Sequence, residues 1–283
     1  MNLSIDFGGT TYSFVIFNQN QIYYKSESND IKQFENYDEL FSQISLQVYA
    51  ITEKVNILGI GCPGPLNASK GLILNTPNLK ILQYVNIKNE IVKYIKCNKV
   101  KLENDANSFV LGAYYLNKNI KSDVVLGITL GTGIGFGIII NGKLFTGSYG
   151  MAGEYELSPL ENDKTWANKI GYKFFENISK KIFNKNLPPK EIFDLAENKN
   201  EEAIKIWKEY GENIGICLSH VINLINPNYI FIGGGVSKAR KYFHNNILET
   251  LEDKCFIFDN KKIKIIYDVN NLNVYYGNII TIK

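Results

Sequence analysis

Arginine is almost missing from this chain: Arg240 is the only one among 283 residues. Anions must therefore be met by backbone amides, hydroxyls and lysines, which disfavours a phosphate-reading surface built on bidentate guanidinium forks. Histidine is nearly as scarce, with His220 and His244, and the four cysteines (Cys62, Cys97, Cys217, Cys255) are scattered without a C-x-x-C pair. A histidine–cysteine zinc site is disfavoured on that ground, and the thiols read as reduced and mostly buried. No secretory leader precedes the first strand-like run, and no stretch of about 18 uninterrupted apolar residues exists to form a transmembrane helix. No lysine-rich block stands out and the net charge is only +3, so no nucleic-acid partner is expected. The expected location is cytoplasmic, with no membrane partner. No G-x-x-x-x-G-K-[ST] segment is present, which sets aside a P-loop.

What is present points to two domains with separate cores, for which the length suffices. A hydrophobic share of 45% and a charged share of 21% are those of an ordinary globular protein. Two glycine-threonine turns stand out: Asp6-Phe-Gly-Gly-Thr10 with Thr11 following, and Leu130-Gly-Thr-Gly-Ile-Gly-Phe-Gly137. Each lies between two apolar runs, so each reads as the tip of a β-hairpin. Glycine lets backbone N–H groups approach an anion closely, and threonine adds a hydroxyl donor.

The strand and helix signals also come in two similar sets. Strands are predicted at 2–6, 12–17, 22–25, 55–60 and 99–102, with helices at 37–51 and 108–116. After a polar stretch at 117–123, strands follow at 124–130, 134–140 and 143–146. Helices then fall at 166–183, 189–197 and 201–225, a strand at 229–232, a helix at 238–251 and a strand at 262–267. This pattern, repeated, is an α/β arrangement of two similar lobes, 1–117 and 118–283. Ligands in such sheets sit beyond the carboxyl ends of the strands, where the glycine turns also lie.

Seven motifs in order then carry a resemblance. They are Asp6-x-Gly-Gly-Thr10, Gly61-x-Pro-Gly-Pro65, Asn75-Thr-Pro-Asn-Leu79, Glu103-Asn-Asp-Ala-Asn107, Leu130-Gly-Thr-Gly-Ile-Gly-x-Gly137, Gly150-x-Ala-Gly-Glu154 and Gly233-Gly-Gly235. The set resembles the ROK family of bacterial sugar kinases and repressors, glucokinase-like proteins of the actin–hexokinase superfamily. The resemblance implies an actin-like ATPase (ribonuclease H-like) fold, two lobes around an interlobe cleft, with a C-terminal tail that packs back on the first lobe, although the tail after Tyr267 looks short for the helix expected there. It also implies ATP-dependent phosphorylation of a hexose or N-acetylhexosamine hydroxyl, with ATP and Mg²⁺ as cofactors and a sugar as small-molecule partner. Members often dimerise, so a homodimer is among the expected assemblies.

Residue chemistry and resemblance give the roles together. Asp105 stands at a strand end before a helix, where a carboxylate can either cap the helix or take a proton from an attacking hydroxyl; the resemblance implies the catalytic base. Asp6 reads as a turn-initiating residue or as a carboxylate holding Mg²⁺ through water, and the resemblance implies the latter. Gly8, Gly9, Thr10 and Thr11 are then expected along the phosphates. Gly131, Thr132, Gly133 and Gly135 form the second phosphate turn and Gly233, Gly234 and Gly235 the adenosine side; each is otherwise a tight turn between elements. Sugar contacts are expected from Gly64, Asn78, Asn104, Asp105 and Glu154.

The chain departs from the family after Glu154. The usual continuation is an apolar residue, glycine and histidine; here it is Tyr155, Glu156 and Leu157. The family's cysteine-rich zinc segment is absent as well, so no zinc is expected and sugar selectivity should change. Glu156 and Glu161 are the candidates to replace a sugar-binding carboxylate of that segment. Two rival readings exist. A sugar-responsive repressor would need a DNA-binding segment ahead of Asp6, for which no room is seen. A non-catalytic sugar- or nucleotide-binding protein would be expected to have lost Asp105.

Overall fold

The structure is a computed structural model describing residues 1–76, 79–117, 120 and 123–280, the side chain of Asp163 excepted. The chain forms two compact units, one of Met1–Asn119, Thr146–Ala152 and Leu272–Lys283, the other of Ile120–Phe145 and Gly153–Asn271.

The first unit is built on strands β1 (Asn2–Phe7), β2 (Thr11–Asn18), β3 (Gln21–Lys25), β4 (Asn29–Asp30), β5 (Ile57–Cys62), a small β6–β7 pair (Leu66–Asn67, Leu72–Ile73) and β8 (Lys99–Asn104). Its helices are α1 (Tyr37–Tyr49), α2 (Ile87–Ile91) and α3 (Asp105–Leu116). The main sheet runs β3-β2-β1-β5-β8, with β4 on β2. β1–β2 and β2–β3 are antiparallel hairpins, whereas β1, β5 and β8 are parallel. On one face α1 buries Leu40, Phe41, Ile44 and Val48 against Leu3, Ile5 and Phe7 of β1. The helix begins at Asn36, whose side chain accepts from the Glu39 N–H, while the Glu39 carboxylate accepts from the Glu35 N–H just ahead of the cap.

On the other face lies a short C-terminal helix (Asn273–Ile279) that the sequence pattern does not reveal. Asn278 is buried there, donating to Ser4 Oγ at 3.0 Å and to the Ile5 carbonyl at 3.1 Å. A Cβ on Gly59 would lie 2.3 Å from the Asn278 carbonyl oxygen, and one on Gly277 would lie 1.7 Å from that of Ser108 in α3. Glycine on the strand and on the tail helix is thus what lets the tail reach the sheet and α3.

The second unit repeats the order. Strands β9 (Val124–Leu130), β10 (Ile134–Ile140) and β11 (Lys143–Leu144) are antiparallel neighbours, and β12 (Tyr229–Gly233) and β13 (Lys264–Tyr267) extend the sheet parallel to β9 in the order β11-β10-β9-β12-β13. Helices α4 (Trp166–Ile170), α5 (Tyr172–Phe183), α6 (Pro189–Glu197), α7 (Glu201–Ile225) and α8 (His244–Lys254) complete it, and the tail helix of the first unit is α9. Phe175, Trp207, Tyr210 and Phe243 pack at the centre of its core.

Two helices differ from their expected form. The apolar run 166–183 is broken at Gly171, whose backbone is extended and where an added Cβ would lie 2.5 Å from the Ala167 carbonyl oxygen. The stretch expected as one helix at 238–251 starts as a 3-10 turn over Gly235–Tyr242 and becomes α-helical only from His244. Among the described residues no helix is long and apolar enough to cross a membrane.

Candidate functional site

In the first unit the parallel register brings Asp6 of β1 beside Gly61 of β5, and Gly61 beside Glu103 of β8, with Cys62 beside Asn104. All sit at the carboxyl ends of their strands, where side chains leave the sheet. Burial first, and the negative charge of Asp105 second, push the Asp6 carboxyl up to about 7. The same two carboxylates, with burial as the larger cause, push the Cys62 thiol up. Asp6, Cys62 and Asp105 therefore form one electrostatic neighbourhood, and the thiol in it stays protonated and inert.

The helix that follows β8 separates the two roles open to Asp105. Asn104 is the cap: its Oδ1 accepts from the N–H of Ala106 at 2.9 Å and of Asn107 at 3.2 Å. Asp105 is the first helical residue, with Oδ1 2.8 Å from the Ala106 nitrogen. A carboxylate at this position also gains from the helix dipole. The Asn104 oxygen is spent on the backbone, which leaves only its amide N–H₂ for a ligand. Glu103 turns back on the same terminus, accepting from the Asn104 N–H and from Asn107 Nδ2; its carboxyl is pushed up by burial.

The β1–β2 tip is held by the Gly8 N–H donating to the Thr11 carbonyl at 2.7 Å, and Thr10 accepts from the Ile31 N–H. Gly64 follows β5 in a cis peptide bond with Pro65. Asn78 lies outside the described residues.

In the second unit the β9–β10 tip is closed by the Gly131 N–H donating to the Gly133 carbonyl at 3.0 Å, while the Thr132 carbonyl accepts from the Tyr172 N–H at 3.1 Å. That last bond explains the break at Gly171: α5 starts where its first N–H meets this turn. Nothing lies within 4 Å of the place a Cβ on Gly131 would occupy, and the same holds for Gly235. Both faces are open to a ligand. Gly234 differs. Its φ is +88°, an added Cβ would fall 2.2 Å from the Leu130 carbonyl oxygen, and its N–H is given to Asn271 Oδ1 at 3.0 Å. It joins the 233–235 turn to the end of β9, so the two glycine turns of this unit adjoin.

Glu154 precedes a 3-10 turn, Tyr155–Leu157. Gly153 before it has φ +95°, and a Cβ there would strike the Phe136 carbonyl at 2.2 Å, so this approach to β10 demands glycine. The Tyr155 ring meets Phe136 edge-on at 5.7 Å and Trp166 at 6.4 Å, and its hydroxyl is 3.0 Å from His220 Nδ1. An aromatic cluster thus secures the segment in which the resemblance would put a zinc loop. Leu157 is exposed. The Glu156 carboxylate, offered by the sequence as a sugar ligand, is turned to the β9–β10 tip, where it accepts from the Ile134 N–H at 2.7 Å. Sequence reasoning missed this contact; the signal was a carboxylate where the family pattern it resembles calls for glycine.

Comparison with known proteins agrees with this architecture. The chain is 31% identical to an N-acetyl-D-glucosamine kinase of Histophilus somni, with 84% of each chain covered. It is 26% identical to a glucokinase of Thermotoga maritima, covering 89% of this chain and 87% of that one. Its fold matches that of a ROK family glucokinase from Streptomyces griseus, solved with glucose and AMPPNP, at a TM-score of 0.85 and 20% identity over 98% of this chain and 97% of that one. The family model described as "ROK family" matches residues 2–267. A duplicated sheet with glycine turns at the strand ends, and a family match over nearly its whole length, show that this chain belongs to the ROK family.

Proposed function

We propose that this protein transfers the γ-phosphoryl group of ATP to a hydroxyl of a hexose or N-acetylhexosamine, with Asp105 as general base. The observation that carries the reading is the division of labour at the start of α3. Asn104 caps both the Ala106 and the Asn107 N–H, and the Asp105 carboxylate shares only the first of these with it. That carboxylate stands at the carboxyl end of the parallel strands, in the electrostatic neighbourhood of Asp6. In the step proposed, the sugar O–H gives its proton to Asp105 as its oxygen bonds to the γ-phosphorus. The bond from that phosphorus to the bridging oxygen breaks, and ADP leaves.

The residues present fit Mg²⁺. Burial first and the charge of Asp105 second push Asp6 up to about 7, and a hard divalent cation would offset both the lost hydration and the repulsion. Among the described residues no group of three or more histidine, cysteine or acidic side chains is arranged to hold a metal, so Asp6 would hold Mg²⁺ through water. When bound, the ion neutralises charge on the β- and γ-phosphates. The open faces of Gly131 and Gly235 and the N–H groups of Gly9, Thr10 and Thr132 suit polyphosphate and nucleotide. Glu154 and Gly64 would orient the sugar.

The identity with an N-acetyl-D-glucosamine kinase and a glucokinase supports the acceptor class. The test is ADP release from Mg²⁺–ATP across hexoses and N-acetylhexosamines, with Asp105→Asn as control. Turnover on a sugar that falls about 10²–10⁴-fold in the control supports the reading. No turnover on any of them, with ADP still bound, would refute the catalytic role.

A further inference from the structure

The Glu156 carboxylate makes an unusual contact. Besides accepting from the Ile134 N–H, it lies over the second glycine turn: a Cβ on Gly133 would be 2.5 Å from Oε2, 3.3 Å from Cδ and 3.4 Å from Oε1. Burial pushes its carboxyl up, partly offset by the Ile134 N–H, and among the described residues no lysine, arginine or histidine forms a salt bridge with it. A carboxylate held against a turn suited to anions needs a reason, since on charge alone it opposes a phosphate there.

The reason offered by the geometry is mechanical. Three of the turn's backbone groups are tied: the Thr132 carbonyl to Tyr172, the Gly133 carbonyl to Gly131 and the Ile134 N–H to Glu156. The N–H groups of Thr132 and Gly133 have no hydrogen-bond partner among the described residues. Two of the ties come from backbone; the third comes from a side chain two residues beyond Glu154, on a 3-10 turn stiffened by the packing of Tyr155 on Phe136 and Trp166. A displacement of Glu154 would thus pass along the 3-10 turn to Glu156, and from Glu156 through its hydrogen bond to Ile134 at the edge of the turn.

We propose that Glu156 is a positioning residue that links the acceptor-binding segment to the phosphate turn, so that sugar held by Glu154 changes the affinity of the Thr132–Gly133 amides for nucleotide phosphate. This rests on the sugar-kinase reading for the role of Glu154. Linkage requires the effect to be reciprocal: sugar alters nucleotide binding by the same factor by which nucleotide alters sugar binding.

The experiment measures the dissociation constant of Mg²⁺–ADP by calorimetry, with and without the acceptor sugar, in wild type, Glu156→Gln and Glu156→Ala, with the Tm of each. The expected wild-type ratio is about fivefold or more, a typical coupling. Glu156→Ala has no acceptor for the Ile134 N–H and should bring the ratio close to one. Glu156→Gln keeps an acceptor oxygen and should retain the ratio, while binding ADP about three- to tenfold more tightly because the opposing charge is gone. A wild-type ratio of one, a ratio unchanged in Glu156→Ala, or equal loss in both variants would each overturn the proposal. A purely structural role would lower Tm and leave the ratio intact. Wild-type protein that binds ADP with sugar-dependent affinity but turns over no sugar would sink the catalytic reading and leave this link standing; protein that binds no ADP would sink both.

Discussion

Replacing Asn104 by alanine and Asp105 by asparagine should give opposite results, although the residues are neighbours. Asn104→Ala removes the acceptor of two backbone N–H groups on buried residues, Ala106 and Asn107. The Ala106 N–H keeps a second acceptor in Asp105 Oδ1 at 2.8 Å, so only the Asn107 N–H is orphaned. One lost cap of this kind costs about 1 kcal/mol, and for a chain of this length the Tm should fall by roughly 2–4 °C. Asp105→Asn retains an oxygen for Ala106 and leaves the cap in place. It also removes the charge that helps push up Asp6, so its Tm should hold or rise. Its ADP release with sugar should instead fall about 10²–10⁴-fold. Circular dichroism melts and a coupled ADP assay on both variants decide the matter. An unchanged Tm for Asn104→Ala with a fall of several degrees for Asp105→Asn would show that Asp105 is the true cap and refute the division of labour.

Other expectations follow from single positions. Gly234→Ala, at φ +88° and against the Leu130 carbonyl, should cost about 2 kcal/mol or more, visible as a lower Tm. Gly131→Ala meets no atom within 4 Å, so its Tm should stay close to wild type while Mg²⁺–ADP binding by calorimetry weakens; normal binding would remove the turn from the nucleotide site. Burial, with Lys99 second, lowers the Lys101 ammonium from 10.5 to about 8. Between those values the unfolded chain holds a proton that the folded chain has released, so stability from this group rises with pH there and is least below about 8. Lys101→Met should gain most on wild type near about pH 7 and least near about pH 10; a Tm difference constant with pH would contradict the shift. Purified protein should carry no stoichiometric zinc, and elemental analysis finding about one zinc per chain would show ligands other than those sought after Glu154.

Much of this architecture could be read from the chain, for identifiable reasons. Helix α7 came out at its full length because apolar residues recur at helical spacing and asparagines stand at both ends, Asn200 capping the Ala203 N–H and Asn226 adopting a left-handed backbone. The two hairpins followed from glycine turns between apolar runs. The break at Gly171 has no signature in the sequence, since Trp166, Ile170 and Phe174 keep helical spacing across it; it is imposed by the Thr132 carbonyl, a partner far away in sequence. Helix α9 was hidden because its buried side includes Asn273, Gly277 and Asn278, polar or featureless until Gly59, Gly61 and Gly112 are seen to make room for them. At the site, residue types in order suggested Asp6 and Asp105 as a pair, and parallel register brings their strand ends together. The direction of the Glu156 side chain was beyond reach, since a loop carboxylate has no periodicity to betray its partner.

The insertion of Asn278 between Ser4 and the backbone of Ile5 has a consequence for the order in which the protein is made. The first strand is translated before the other elements of its unit, yet one face of its sheet waits for a helix some 270 residues further along the chain. The second unit needs only chain lying between residues 120 and 271 and can be complete while the earlier one is still open. Until then the glycine-bordered surface around Gly59, Gly61 and Gly112 stays uncovered. A chain cut short before Leu272 would therefore lose residues in one part of the sequence and leave the damage in another, on the sheet built from its first strands.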